Sequence, residues 1–152
     1  MSSFHQSNWA DRFNTMGDEA EGSFEQLFPK FHRSGLNRPP FNMSALTLQQ
    51  KNTPDYLTET GYVEVMGMGR DSTLKLKHEK AVALTQWSAN NNVDLFVWDS
   101  NRRRWWRGPW LQWFEACANH AETNTFPESP KPVYFLKAKN FPFTPAKVAE
   151  AA

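Results

Sequence analysis

Residues 53–67 read Thr-Pro-Asp-Tyr-Leu-Thr-Glu-Thr-Gly-Tyr-Val-Glu-Val-Met-Gly, and the chain runs on to Lys75-Leu76-Lys77-His78-Glu79-Lys80. The stretch predicts two short strands, Pro54 to Thr58 and Tyr62 to Met66, with a tight connection. Side chains alternate faces along a strand, so Asp55 and Leu57 share a face, as do Tyr62, Glu64 and Met66. A hairpin closing around Thr58 to Gly61 sets Asp55 opposite Glu64. Like charges directly opposite destabilise a sheet, so the pair calls for a cation or a functional use.

Working outward, Trp9, Phe13, Met16, Ala20, Phe24, Leu27 and Phe28 recur at helical spacing and predict a helix from about Asp11 to Phe28. Asp11 is its expected cap and Pro29 its terminator. Glu21 borders the apolar stripe, although an ordinary solvated charge explains it as well. A loop is expected over His32 to Phe41, and a first strand over Met43 to Gln49. After the hairpin, Gly67 and Gly69 are expected to break the sheet, and this GxG lacks the third glycine of a dinucleotide fingerprint. A second helix is expected over Thr73 to Asn90, capped by Asp71 or Ser72, with Leu76, Lys80, Leu84 and Trp87 on one side. That puts Lys75, Lys77 and Lys80 in its first two turns, where lysine opposes the helix dipole.

Val93 to Asp99 is an apolar run expected as a buried strand. Pro109 suits a helix start, and the third helix runs to about His120 on Trp110, Trp113, Phe114, Cys117, Ala118 and Ala121. Cys117 therefore reads as a small core residue. A proline-rich loop (Phe126 to Pro132), a last strand (Val133 to Ala138) and an extended tail complete the chain.

The 152 residues suit one domain, with a core of about 11–138 and a tail over 139–152. Hydrophobic residues at 39% and charged residues at 22% fit a globular protein rather than a disordered one. A formal net charge of +1 announces no global attraction for polyanions, so local clustering must decide the partner. A single cysteine excludes an intramolecular disulfide and a cysteine-based zinc site. No apolar run approaches the ~20 residues of a membrane span. The N-terminus lacks the basic flank and apolar segment of a signal peptide, so a cytoplasmic location and no membrane partner are expected.

Asp55 after Pro54, with Glu64-Val65 on the next strand, resembles the PD-(D/E)XK nuclease superfamily. Gly17 and Glu21 on the preceding helix resemble the extra acidic motif of its Holliday-junction-resolvase-like branches. The resemblance covers roughly residues 11–99. It implies an α/β fold, a central mixed β-sheet flanked by helices with a restriction-endonuclease-like αβββαβ core. It also implies an endonuclease acting on branched or structured DNA in recombination or repair, of phage or bacterial setting, with a homodimer by analogy. Asp55, Glu64 and the main-chain carbonyl of Val65 would hold Mg²⁺ or Mn²⁺, and Glu21 would bind through water or hold a second ion. One departure matters. The family's lysine, two positions after the glutamate, is Met66, and a thioether can neither orient water by charge nor stabilise a phosphorane. Lys75 and Lys77 are the first candidates to replace it, with Arg70 and Lys80 behind them. Otherwise the site is a catalytically inactive scaffold for DNA binding or protein assembly.

Arg102-Arg103-Arg104-Trp105-Trp106-Arg107 offers charges for phosphates and rings for bases. The same pattern also fits a basic hairpin anchored to the core by its tryptophans. His5, His32, His78 and His120 are scattered without metal-site spacing.

Overall fold

The computed structural model describes residues 17–35 and 46–148. In chain order the elements are α1 (Asp18–Leu27), β1 (Phe31–Arg33), α2 (Leu48–Lys51), β2 (Tyr56–Thr58), β3 (Gly61–Met68), β4 (Thr73–Lys77), α3 (His78–Ser88), β5 (Val93–Asp99), β6 (Arg104–Pro109), α4 (Trp110–His120), β7 (Glu122–Thr125), β8 (Pro132–Lys137), a 3₁₀ turn (Ala138–Asn140) and β9 (Ala146–Lys147). A six-stranded mixed sheet runs β1-β2-β3-β5-β6-β9, and a second sheet of three strands runs β4-β8-β7. The class is α/β, with helices flanking the sheets.

The hairpin forms as its alternation predicts. Tyr56 pairs with Val63, Leu57 with Tyr62 and Thr58 with Gly61. Gly61 has φ 131°, and a Cβ there would lie 2.5 Å from the Asn92 carbonyl oxygen, so the turn requires glycine. β3 then continues through Gly67 to Met68 rather than breaking there, because it lies parallel to β5 from Tyr62–Val93 to Met68–Asp99. The two faces of β3 feed different cores. Val63 and Val65 pack with Ala20, Phe24, Tyr56, Phe96 and Trp98, whereas Tyr62 and Met66 pack against the larger cluster built on Leu95, Trp106, Trp110 and Trp113.

Several expectations are corrected. Thr73 to Lys77 is a strand, with helix only from His78. Leu74 and Leu76 are buried while Lys75 and Lys77 are exposed, the two-residue period of a half-buried strand. Asp71 caps no helix; it holds the turn into β4 by accepting from the Thr73 N–H at 3.2 Å. Leu48 to Lys51 is helical, not extended, because Thr47 and Gln50 close a reciprocal capping box. His32 and Arg33 belong to a strand paired with β2 rather than to a loop. The stretches 1–16 and 36–45 lie outside the described residues, and with them the Asp11 cap and the start of the expected first strand.

The expected tail is structured too. Ala146 and Lys147 pair with Trp105 and Arg104, and Phe141 and Phe143 pack on Trp113. A Cβ on Gly108 would fall 2.1 Å from the Phe143 ring. Cys117 is buried, as its position on the α4 stripe predicts. Among the described residues no helix is long and apolar enough to cross a membrane. Gly108→Ala should push Phe143 off Trp113 and cost about 1–3 kcal/mol, the usual scale of overpacking. Urea denaturation measures this, and an unchanged midpoint would show that the ring relocates freely.

Candidate metal-binding and catalytic site

The site is built where the hairpin meets α3. Pro54 keeps the chain extended before Asp55. The Ser34 hydroxyl donates to the Pro54 carbonyl at 2.7 Å and the Ser34 N–H to the Asp55 carbonyl at 2.9 Å, which pins the entry to β2. The Asp55 side chain then turns across the strand gap, and its Oδ2 accepts the Val65 N–H at 2.9 Å. In an extended strand the N–H and C=O of one residue point to the same edge. The Val65 carbonyl is therefore directed toward the Asp55 side of β3.

Glu64 is only 3% exposed, which is unusual for a glutamate. Its Oε2 accepts from Lys80 Nζ at 2.5 Å, while its Oε1 is buried without a hydrogen-bond partner. Burying a charge without a partner costs several kcal/mol, and the Lys80 ammonium meets that cost on one oxygen only. Burial first, then repulsion from Glu64, hold Asp55 well above its ordinary pKa, against the pull of Lys80 and the Val65 N–H. Burial works to lower Lys80, but Glu64 and Asp55 outweigh it and raise its pKa.

The structure therefore brings together Asp55, Glu64 and Lys80, with Glu21 near enough for its charge to act on Asp55 and Lys80. Glu21 lies on α1, whose buried residues pack on the opposite face of β3 from Glu64. Arg33 approaches Glu21 at 3.9 Å and also pairs with Glu25, which accepts from the Tyr56 hydroxyl at 2.6 Å. Lys75, on β4, pairs with Asp71 at 3.2 Å and lies over the Phe135 ring. Lys77 is exposed at the end of β4, and Arg70 is exposed in the turn before it. The lysine ranked behind Lys75 and Lys77 is thus the one that reaches the carboxylates. Its signal was the strand period of 73–77, which moves the helix start to His78 and puts Lys80 in the first turn.

Two of the four arginines in the segment are tied to carboxylates of β5, while Arg102 and Arg103 are exposed. Arg104 Nε donates to Asp99 Oδ2 and Arg107 Nε to Asp94 Oδ2, both at 2.9 Å. Arg102 donates to the Ser72 hydroxyl at 2.7 Å, and Arg103, at φ 49°, sits over the Trp98 ring. Trp106 is buried, and the half-buried Trp105 packs against Phe28 and Phe96.

Among the described residues no three His, Cys, Asp or Glu side chains converge as a metal-binding group. Mg²⁺ uses one or two carboxylates and keeps several waters, so the relevant donors are Asp55, Glu64 and the Val65 carbonyl. The orphaned Glu64 Oε1 and the mutual repulsion of two buried carboxylates both fit a hard cation. Comparisons with protein-family models, curated proteins and solved structures return no match.

Asp55 binds its proton more tightly folded than unfolded. The stability this contributes is complete below its unfolded pKa of about 3.9 and is lost as pH rises through the folded value. Asp55→Asn keeps an acceptor for Val65 but removes the charge. In EDTA at pH 7 it should be more stable than the parent by about 0.5–2 kcal/mol, and the difference should close below about pH 4. Urea denaturation across pH reads this out; a less stable variant at pH 7 would mean that the ionised carboxylate is favoured in the fold.

Proposed function

We propose that the chain is a Mg²⁺- or Mn²⁺-dependent DNA endonuclease with a restriction-endonuclease-like core, hydrolysing phosphodiester bonds in branched or structured DNA. The observation that carries this reading is the Lys80 ammonium 2.5 Å from Glu64. It returns to the carboxylates the positive charge that Met66 cannot supply, and Met66, Glu64 and Lys80 line one cleft. The element order α1, β2, β3, β4, α3, β5 also supports the expected core, with β1 and α2 as additions and β4 pairing outside the main sheet.

Asp55, Glu64 and the Val65 carbonyl would hold the ion, which when bound supplies a charge that acidifies water and offsets the developing phosphate charge. The Val65 N–H fixes one Asp55 oxygen and leaves the other for binding. Lys80 holds Glu64 in place through its Oε2 and presents an ammonium to the attacking water or a phosphate oxygen. In the hydrolysis the water oxygen bonds to phosphorus, the P–O ester bond to the leaving group breaks, and that oxygen takes up a proton.

A second reading has its own support. The Lys80–Glu64 pair neutralises Glu64 with no metal, as a non-catalytic DNA-binding or assembly scaffold would require. Calorimetric titration with Mg²⁺ separates the two: the nuclease binds in a manner lost in Asp55→Asn, and the scaffold does not bind.

Linear, flapped and four-way DNA incubated with Mg²⁺ or Mn²⁺ should be cleaved, with flapped or four-way DNA preferred. Glu64→Ala should abolish cleavage, and Lys80→Met should lower kcat by about 10²–10³, the scale of one electrostatic stabiliser. Lys75→Met should stay within several-fold of the parent. Full activity in Glu64→Ala would sink the proposal, and full activity in Lys80→Met would remove Lys80 from it.

A further inference from the structure

A cleft of about 460 Å³ opens over Glu64 and Met66. Its walls are α2 and the residues after it on one side, and the end of β4, the start of α3 and the 126–131 loop on the other. Five lysines line it: Lys51, Lys75, Lys77, Lys80 and Lys131. Among the described residues, two carboxylates line it with them, Glu64 paired with Lys80 and Glu79 with Lys131 at 3.3 Å, while Lys75 reaches out of the lining to Asp71 at 3.2 Å. Lys51 and Lys77 have no acidic partner among the described residues. The whole chain carries only +1, so this is a local concentration of positive charge that the composition conceals.

Its chemistry is that of a phosphate track. Lysines are flexible point charges, suited to backbone phosphates rather than to base edges. Lys75 and Lys77 stand two residues apart on one strand, so their side chains leave the same face about 6.8 Å apart. That spacing is comparable to the repeat of an extended nucleic-acid backbone. Phe126, half-exposed at the cleft, adds a ring on which a base can lie. The volume falls in the range of small-ligand cavities, a size suited to one strand.

We propose that the lysine cleft binds the phosphates of a single nucleic-acid strand and leads it across Glu64. The role of that strand as a substrate rests on the nuclease reading, whereas its binding does not. Flaps and branch points are where structured DNA offers such a strand.

The test is fluorescence anisotropy of a labelled single-stranded DNA oligonucleotide in EDTA, with the same sequence as a duplex and with polyglutamate as competitor. The comparison sets the parent against the triple variant Lys51→Gln, Lys77→Gln, Lys131→Gln, whose thermal unfolding checks its fold. The parent should bind the single strand in preference to the duplex. The triple variant should bind at least about tenfold more weakly, with a salt slope flatter by about 0.7 for each lysine–phosphate pairing removed. Each single Lys→Gln variant should lose part of that affinity, so the proposal stays testable if the triple variant unfolds. Unchanged strand affinity in the variants, preference for the duplex, or equal competition by polyglutamate would overturn the proposal. Strand binding that disappears with the lysines, in a parent that cleaves nothing with Mg²⁺ or Mn²⁺, would uphold the cleft and defeat the nuclease reading.

Discussion

A buried carboxylate on the central strand is the constraint to which the rest of the architecture answers. Glu64 sits on β3, which is hydrogen-bonded to β2 on one side and to β5 along seven residue pairs on the other. It cannot move to water without breaking the sheet, so a cation must come to it. Lys80 does so because α3 begins at His78, and α3 begins there because Thr73 to Lys77 are held against β8. The second sheet therefore has a consequence for the site: it stops the chain from becoming helical too early and aims one particular lysine at Glu64.

The same balance of charge explains the two basic regions. In the 102–107 segment, the Arg104 and Arg107 guanidinium groups are used within the fold. Asp99 accepts from the Asn101 and Arg102 N–H groups and from Arg104, which closes the β5–β6 turn, while Arg107 bridges Asp94 and the Phe28 ring. Arginine suits such roles because its planar fork pairs carboxylates and stacks on rings at once. The lysines, by contrast, collect around a cleft with fewer carboxylates than ammonium groups. A near-neutral chain thus holds a basic strand whose Arg104 and Arg107 are paired with carboxylates and a cavity whose basic charge is compensated only in part.

Local pattern made much of the scaffold legible. The period of two in residues 53–66 and the glycine turn led to the hairpin and to the Asp55–Glu64 juxtaposition. The apolar run Val93–Asp99 and the stripe from Trp110 to Cys117 were equally direct, since each buries the face that its periodicity marks. Thr73–Lys77 was misleading because Leu76, Lys80, Leu84 and Trp87 happen to fall at helical intervals across a real strand–helix boundary. The Thr47–Gln50 capping box is present in the sequence, with helix-forming Leu48, Gln49 and Lys51 beside it, and is passed over when Met43 to Gln49 is read as a strand. The tail had no local signal, because β9 exists only through its pairing with β6 and through Phe143 filling the space left by Gly108.

The residues alone marked out the carboxylates Asp55 and Glu64, the thioether of Met66 two positions after Glu64 and the strand faces on which these side chains lie, because alternation along a strand is a local property. Which ammonium reaches Glu64 is not local. It depends on where β4 ends, and that depends on β8, some sixty residues later in the chain. The arginine-tryptophan segment could be read as surface or as anchor until Asp94, Asp99 and the aromatic cluster were placed around it. Long-range pairing decided both matters, because a charge goes where its partner is held.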